Sequence, residues 1–286
     1  MKKILVIGNK GMLGSELYER LSKDPNYTVF GGDKDEINIC DPYSVDAIIN
    51  FLKPDYIINC AAYTNVDGCE DNLEIAYQLN VDAVENLARA ANYVDATLIH
   101  ISTDYVFDGK LDVNLSYEES DLPHPVSAYG YTKYNGELRA AEANKYYILR
   151  TAWLYGHNGK NFVKTMLRLA KDHDKVKVVN DQWGSPTSVV TLCKIIEEIL
   201  KKNPSYGIYH ATGEGFCSWA QFAERIFNYL NLDTKVVGIP SEEYPTPTTR
   251  PHNSQLSKKK LHDIGIFPDN YAFALSNYLD NYKEEI

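Results

Sequence analysis

The sequence lacks several features that mark whole classes of protein. Its net charge is −10 over 286 residues, whereas a surface that binds nucleic acid needs an excess of Lys and Arg. No stretch approaches the roughly 20 apolar residues that a membrane-spanning helix requires. Internal repeats and low-complexity segments are missing as well. We therefore expect neither a nucleic acid nor a membrane as a partner.

Cysteine and histidine patterns typical of metal sites are also missing. The five cysteines form no CxxC pair, and the seven histidines show no metal-ligand spacing. The first apolar stretch, Ile4–Ile7, is too short for the core of a signal peptide, and no cleavage pattern follows it. In a chain without such a signal, cysteines stay reduced. We therefore expect free thiols, no metal and a cytoplasmic location.

The first half of the sequence instead shows a regular alternation of strand and helix patterns. Hydrophobic residues make up 44% of the chain, which is enough for a packed core. Short apolar runs predict strands at Lys3–Ile7, Thr28–Gly32, Tyr56–Asn59 and Ala96–Ile101. Amphipathic stretches between them predict helices, among them Ser44–Leu52 and Leu73–Asn92. This alternation predicts an α/β fold with a Rossmann-type, doubly wound parallel sheet.

A glycine motif lies between the first strand and the first helix. Its spacing is GxxGxxG, with Met12 and Leu13 between the last two glycines, Gly11 and Gly14. Gly8 permits a tight turn, and Gly11 lets the backbone approach a pyrophosphate at the helix N-terminus. A loop that merely turns the chain is the alternative. In this context the motif predicts that five residues bind a dinucleotide: Gly8, Gly11, Met12, Leu13 and Gly14.

An acidic residue ends the second predicted strand. Asp33 follows Gly14 by 19 residues, the place at which an acid hydrogen-bonds the adenosine ribose and repels a 2′-phosphate. Asp33 therefore favours NADH, although the neighbouring Lys34 weakens that preference, and an aspartate that caps a turn is the alternative. Asn38 and Ile39 are predicted to lie beside the adenine.

Small and polar residues follow the third and fourth predicted strands. Ligands bind at the carboxyl ends of parallel strands, where small residues let the backbone pass close to them. We therefore assign four residues at these ends to the cofactor: Ala62, Tyr63, Thr64 and Ile101. Directly after Ile101, the segment Ser102–Asp104 brings hydroxyls and a carboxylate to the same edge.

Tyr129 and Lys133 lie four residues apart in a stretch that we predict to be helical. On a helix their side chains project from one face. An ammonium beside a phenol favours the phenolate and lowers the pKa of the tyrosine. This spacing is also common on solvated helix faces, so it gains weight only from the cofactor motifs before it.

Taken together, these motifs resemble those of the extended short-chain dehydrogenase/reductases. More narrowly, five segments are similar to the dTDP-4-dehydrorhamnose reductase family: Thr103–Phe107, Arg150–Gly156, Asn161–Met166, Asp181–Thr187 and Arg250–Ser254. The resemblance implies NADPH- or NADH-dependent reduction of the 4-keto group of a dTDP-sugar. The product, dTDP-L-rhamnose, is a donor for cell-surface polysaccharide.

The resemblance also implies roles for individual residues. Tyr129 would protonate the carbonyl oxygen, Lys133 would hold the nicotinamide ribose and lower the pKa of Tyr129, and Thr103 would hydrogen-bond the same oxygen. Asp104 and Trp153 would contact the sugar nucleotide. Some members hold magnesium at a dimer interface, but its glutamates have no match in this chain, and we assign no metal.

Two other functions stay open at this point. One is a regulatory subunit, like that of methionine adenosyltransferase, which binds a dinucleotide without turnover. The other is a reductase of a different dTDP-4-keto-6-deoxysugar. Dehydration is disfavoured, because Tyr105 stands after Asp104 where the related dehydratases carry a glutamate.

The C-terminal half has a less regular pattern. It predicts helices at Asn161–Lys171 and Val189–Leu200, a returning strand at Ile208–His210, a capping box at Ser218–Gln221 and a last helix at Tyr271–Lys283. The proline-rich segment Pro240–Pro251 predicts a stiff loop whose Arg250 would close over a diphosphate, and a plain structural loop is the alternative. We expect a dinucleotide-binding domain at 1–150, completed by returning segments, and a mainly substrate-binding domain at 151–286. A homodimer is left open.

Overall fold

The structure, a computed structural model, describes residues 1–282. Its strands, numbered in chain order, are β1 (Lys2–Ile7), β2 (Tyr27–Gly32), β3 (Tyr56–Asn59), β4 (Thr97–Thr103), β5 (Tyr146–Thr151), β6 (Leu154–Tyr155), β7 (Lys175–Val179), β8 (Trp183–Gly184), β9 (Thr187–Ser188), β10 (Gly207–His210), β11 (Cys217–Ser218) and β12 (Lys235–Ile239). Its helices are α1 (Met12–Ser22), α2 (Pro42–Leu52), α3 (Gly68–Asp71), α4 (Leu73–Tyr77), α5 (Ala83–Val94), α6 (Ala128–Ala140), α7 (Phe162–Asp172), α8 (Val189–Lys202), α9 (Trp219–Tyr229), α10 (Lys259–Asp263) and α11 (Tyr271–Tyr282).

Six strands form one parallel sheet in the order β10-β5-β4-β3-β1-β2. From β1 the chain first moves to β2 on one side and then to β3 on the other, which opens a crevice at the carboxyl ends of the strands. The C-terminal half returns β10 to the edge beside β5. The predicted Rossmann-type parallel sheet is confirmed.

Alternating strand residues bury two different faces of this sheet. Ile4 and Val6 pack in the core that contains α1 and α8, whereas Leu5 and Ile7 pack in the core that contains α2 and α5. Because successive side chains point to opposite faces of a strand, such a run must be apolar throughout. Helices therefore cover both faces.

A second, smaller region follows β5. Its core is built from α7, α9, α11 and the parallel pair of β7 and β12. The predicted capping box at the start of α9 is present, since Ser218 and Gln221 exchange side-chain and backbone hydrogen bonds. The division near residue 150 stays a prediction, and the predicted end of the last helix, Lys283, lies outside the described residues. Up to residue 282, no helix is long and apolar enough to cross a membrane.

The helix predicted at Leu73–Asn92 is interrupted. A π-helical turn at Gln78–Asp82 separates α4 from α5. Within it, the Asn80 side chain accepts from the backbone N–H of Tyr63 and donates to Thr132 on α6. The wider turn thus ties the loop after β3 to α6, and such bulges are frequent at functional sites.

Candidate active site

A cavity of about 660 Å³ opens at the carboxyl ends of the parallel strands. Fifteen residues predicted for the site line it: Gly8, Gly11, Met12, Leu13, Asp33, Asn38, Ile39, Ala62, Thr64, Ile101, Thr103, Asp104, Tyr129, Lys133 and Trp153. Three others do not line it: Gly14, Tyr63 and Arg250. The sheet therefore brings most of the predicted residues into one place.

The glycine turn forms a cradle beside the start of α1. Gly8 has a φ of +76°, and a Cβ added there would lie 3.0 Å from the backbone nitrogen of Ala61. A Cβ on Gly14 would lie 2.1 Å from the carbonyl oxygen of Gly8. Gly14 therefore lets α1 pack against the turn and does not face a ligand. Backbone N–H groups at the helix N-terminus suit a pyrophosphate, so these residues fit a dinucleotide.

Asp33 links the end of β2 to this turn. Its carboxylate accepts the backbone N–H of Lys34 at 2.8 Å and that of Lys10 at 3.3 Å. The alternative of a turn-capping aspartate is thus realised, and Asp33 nevertheless lines the cavity beside Lys34. Asp33 can therefore cap the turn and also face a ligand in the cavity.

Tyr129 lies in the first turn of α6, opposite the end of β4. The helix begins where the Ser127 hydroxyl accepts the backbone N–H of Gly130. The Tyr129 hydroxyl lies beside the Thr103 side chain, which acts to lower the pKa of Tyr129, and Thr103 Oγ1 donates to Asp104 Oδ1 at 2.9 Å. Two hydroxyl groups and a carboxyl group thus converge at the cavity wall.

Burial changes the protonation of these groups. It raises the pKa of Tyr129 well above its usual value of 10, and Lys133 is not among the groups that shift this pKa. Burial also raises the pKa of Asp104 to about 6, while Ser254 and Thr103 act in the opposite direction. Tyr129 therefore keeps its proton at neutral pH, as a proton donor requires, and the lowering of its pKa by Lys133 stays a prediction.

Lys133 is buried one turn after Tyr129. Its Nζ donates to the carbonyl oxygen of Ile101 at 2.7 Å and lies 3.4 Å from Nε2 of His100. Burial lowers the pKa of Lys133 to about 8, while Glu137 acts in the opposite direction. The contact with His100 was not foreseen, because a histidine in an apolar strand gives no signal of its partner.

A second polar group lies directly beneath the cavity. Arg150 on β5 forms two hydrogen bonds with the Glu137 carboxylate, at 2.9 and 2.7 Å. Ser102 Oγ donates to the same carboxylate at 2.6 Å. Sequence reasoning missed this group, although the position of Glu137 four residues after Lys133 was the available signal.

Trp153 and Arg250 differ in their relation to the cavity. Trp153 lines it, and its ring stacks on Trp219 with centroids 3.4 Å apart. Arg250 instead pairs with Asp67 at 3.1 Å. Arg250 does not line the cavity, because the proline-rich loop turns its guanidinium toward Asp67 in the loop after β3, and its contact with a diphosphate stays a prediction.

Further cavity-lining residues were not assigned from the sequence. They are Ile7, Lys34, Ile37, Cys40, Cys60, Ala61, Val66, Leu79, Ser102, Tyr105, Thr151, Ala152, Leu154 and Lys160. Their positions at the ends of β1 and β3–β5 were the signal that could have identified several of them. Across residues 1–282, no cluster of three or more His, Cys, Asp or Glu side chains is arranged to hold a metal ion.

Comparison with known proteins identifies relatives along the whole chain. Residues 1–284 match the family described as RmlD substrate binding domain. The chain is 40% identical to the spore coat polysaccharide biosynthesis protein SpsK of Bacillus subtilis (98% of this chain, 97% of the relative). It is also 40% identical to a dTDP-4-dehydrorhamnose reductase of Aggregatibacter actinomycetemcomitans (97% and 98%).

A solved structure shows the same arrangement. The dTDP-4-dehydrorhamnose reductase of Bacillus anthracis, in complex with NADP, is 37% identical and superposes with a TM-score of 0.93 over 98% of this chain and 99% of that one. Match, identity and superposition all extend across both halves of the chain. The protein therefore belongs to the RmlD substrate-binding-domain family.

Proposed function

We propose that this protein reduces the 4-keto group of dTDP-4-dehydro-β-L-rhamnose to give dTDP-L-rhamnose, using NADPH or NADH. One observation carries the proposal: Thr103, Tyr129 and Lys133 line the same cavity as the glycine cradle. A ketone reductase needs a proton donor at the place where a dinucleotide binds. The relatives named as reductases of this substrate support the same activity.

The chain's own residues supply binding and the proton. The glycine turn, Asp33 and the ends of β3 and β4 would hold the dinucleotide, which when bound supplies a hydride to the ketone carbon. Tyr129 gives its proton to the ketone oxygen, a role that suits a phenol kept protonated by burial. The Thr103 hydroxyl, which donates to Asp104 in this structure, would turn to donate to that oxygen and stabilise its developing negative charge.

Both dinucleotides fit the residues at the end of β2. Asp33 favours ribose hydroxyls, whereas Lys34 beside it can pair with a 2′-phosphate. The Bacillus anthracis relative binds NADP, which supports use of NADPH here. We therefore propose that either dinucleotide serves as cofactor.

The substrate side and the setting of the reaction complete the proposal. Asp104 and Trp153 line the cavity and would contact the sugar nucleotide, with residues 1–150 binding the cofactor and 151–286 mainly the substrate. Arg250 would reach the diphosphate only by leaving Asp67. A cytoplasmic location suits five cysteines that are all free thiols, and a homodimer is part of the same hypothesis.

The decisive assay is oxidation of reduced dinucleotide with the 4-keto sugar nucleotide made from dTDP-glucose by a dehydratase and an epimerase. Turnover that requires the epimerase supports this substrate, and turnover without it points to another dTDP-4-keto-6-deoxysugar. Dinucleotide binding without turnover favours the regulatory subunit.

Tyr129→Phe tests the proton donor within this assay. Loss of general acid catalysis should lower kcat by roughly 100-fold or more while dinucleotide binding persists. Tyr131→Phe is the matched control, because Tyr131 lies on the same helix and is 49% exposed. Equal turnover of the two variants would remove Tyr129 from the reaction.

A further inference from the structure

A row of buried polar groups runs from β3 through β4 to α6, and the backbone fixes the direction of its hydrogen bonds. The Asn59 side-chain oxygen accepts the backbone N–H of Ala61 at 3.1 Å. A backbone N–H can only donate, so this contact determines which way the Asn59 amide points. Its Nδ2, a donor, therefore faces Nδ1 of His100 at 3.2 Å.

The orientation of Asn59 determines the tautomer of His100. Because Asn59 donates to Nδ1, this ring nitrogen carries no proton, and a neutral imidazole then carries its proton on Nε2. His100 is completely buried, and burial lowers its pKa well below the usual range, with Lys133 acting in the same direction. The ring is thus neutral, with its N–H on the side of Lys133.

Lys133 receives this N–H. Nε2 of His100 lies 3.4 Å from Lys133 Nζ, which itself donates to the Ile101 carbonyl at 2.7 Å. An ammonium has three donors and no acceptor, whereas a neutral amine has a lone pair that accepts the histidine N–H. A donor placed at this nitrogen therefore stabilises the amine relative to the ammonium.

We propose that Asn59 and His100 are positioning residues that set the protonation state of the active-site Lys133. The hydrogen bonds run in one direction, from Ala61 through Asn59 and His100 to Lys133, so the backbone of the cavity wall determines the charge of the lysine. The inference rests on the proposed function for its place in the reaction. Neither Asn59 nor His100 lines the cavity, so the two residues would act through Lys133 and not by contact with the substrate.

The other charged and titratable groups around Lys133 lie on α6, β4 and β5. Glu137, one turn further along α6, favours the ammonium. Its carboxylate is however occupied by both hydrogen bonds from Arg150 on β5 and by the Ser102 hydroxyl. Tyr129 on the same helix is neutral. His100 on β4 is thus the group that can tip the balance.

The test measures the titration of Lys133 directly. The full chain would be labelled with lysine carrying ¹³C at Cε, with Lys133→Arg used to assign the resonance. In the wild type we expect a midpoint near pH 8. In His100→Gln the side-chain oxygen accepts from the ammonium, so the midpoint should rise by about one pH unit or more.

Two further variants make the result specific. His210→Gln is the matched control: His210 is also completely buried, its pKa is also lowered by burial, and Lys133 is not among the groups that shift it. Its midpoint for Lys133 should stay at the wild-type value. Asn59→Leu frees the tautomer of His100 and should raise the midpoint even if His100→Gln does not fold. An unchanged or lower midpoint in the folded variants overturns the proposal.

The titration and the reductase assay can fail independently. The NMR measurement needs neither cofactor nor substrate, so a raised midpoint without wild-type turnover keeps the hydrogen-bond chain and removes the proposed function. Turnover together with an unmoved midpoint keeps the proposed function and removes the hydrogen-bond chain. If both hold, the pH dependence of kcat/KM should shift upward in His100→Gln by the same amount as the Lys133 midpoint, which a purely structural role of His100 would not produce.

Discussion

Two groups of buried polar residues meet at the end of β4, and they differ in how their charges are compensated. In the lower group, Glu137 and Arg150 are only 3% and 1% exposed, and they form a bidentate pair with Ser102 as an additional donor. In the upper group, Asp104 Oδ1 accepts from the Thr103 hydroxyl, while Asp104 Oδ2 is buried without a hydrogen-bond partner among the described residues. Below the cavity the two charges compensate each other, although Arg150 Nη1 has no partner among the described residues, whereas the carboxyl of Asp104 has no counter-charge.

This difference separates a structural group from a chemical one. A compensated ion pair keeps its charges over a wide pH range, whereas burial without a counter-charge moves a pKa toward neutrality. The pKa values of Asp104 and Lys133, about 6 and about 8, lie on either side of pH 7. Adjacent residues of β4 point to opposite faces, so Ser102 and Thr103 serve the two groups separately.

The largest expected effect comes from breaking the compensated pair. Arg150→Met leaves a buried, unpaired Glu137 and should lower the free energy of unfolding by about 3–5 kcal/mol. Urea denaturation measures this loss. Arg20→Met is the control, because Arg20 forms a similar pair with Glu197 that is 30% and 19% exposed, and such pairs contribute about 1 kcal/mol or less. Adding Glu137→Leu to Arg150→Met should restore part of the stability, and no restoration would contradict the role of the pair.

The second effect comes from removing the uncompensated carboxyl. Because the pKa of Asp104 is raised from 3.8 to about 6 in the folded state, the native protein binds more protons than the unfolded chain between these values. Its stability therefore falls as the pH rises through this window. Asp104→Asn should raise the free energy of unfolding by up to about 3 kcal/mol above pH 6 and lose that advantage below about pH 4. Urea denaturation at both ends of the window checks the sign, and a gain that persists in acid would contradict it.

The same contrast explains what the sequence could predict. Thr103 could be placed at a strand end, and Tyr129 and Lys133 on one helix face, because both follow from apolar periodicity and the parallel topology. That the three residues share one site was implied by the resemblance. The fold was predictable from the same periodicity, since each strand of the main sheet is a short apolar run. The positions of residues that follow from local periodicity could thus be predicted.

The Glu137–Arg150 pair could not be predicted in the same way. Its members lie on α6 and β5, and only the packing of helix on sheet shows that they meet. The π-helical turn that carries Asn80 and the loop that turns Arg250 toward Asp67 depend on contacts between distant segments as well. Local patterns do not contain such contacts.

A third prediction concerns Trp153, which lines the cavity and stacks on Trp219 of the smaller region. Trp153 has a φ of +49°, which is rare for a bulky residue, and its stack on Trp219 helps to hold it there. Trp219→Leu should raise KM for the sugar nucleotide by about tenfold, since aromatic pairs contribute about 0.5–1.5 kcal/mol beyond their burial. Trp183→Leu is the control, because Trp183 does not line the cavity. A change in kcat alone would contradict this role.

The smallest effect should come from the pair of Arg250 and Asp67, which resembles neither buried group. The two side chains are 30% and 39% exposed, so Asp67→Asn should change the free energy of unfolding by less than about 1 kcal/mol. If Arg250 binds the diphosphate, however, Asp67 competes with the substrate for the same guanidinium. Asp67→Asn should then lower KM for the sugar nucleotide, whereas Arg250→Gln should raise it. Steady-state kinetics on both variants decide the point, and a parallel rise of KM would show that the pair acts only by holding the loop in place.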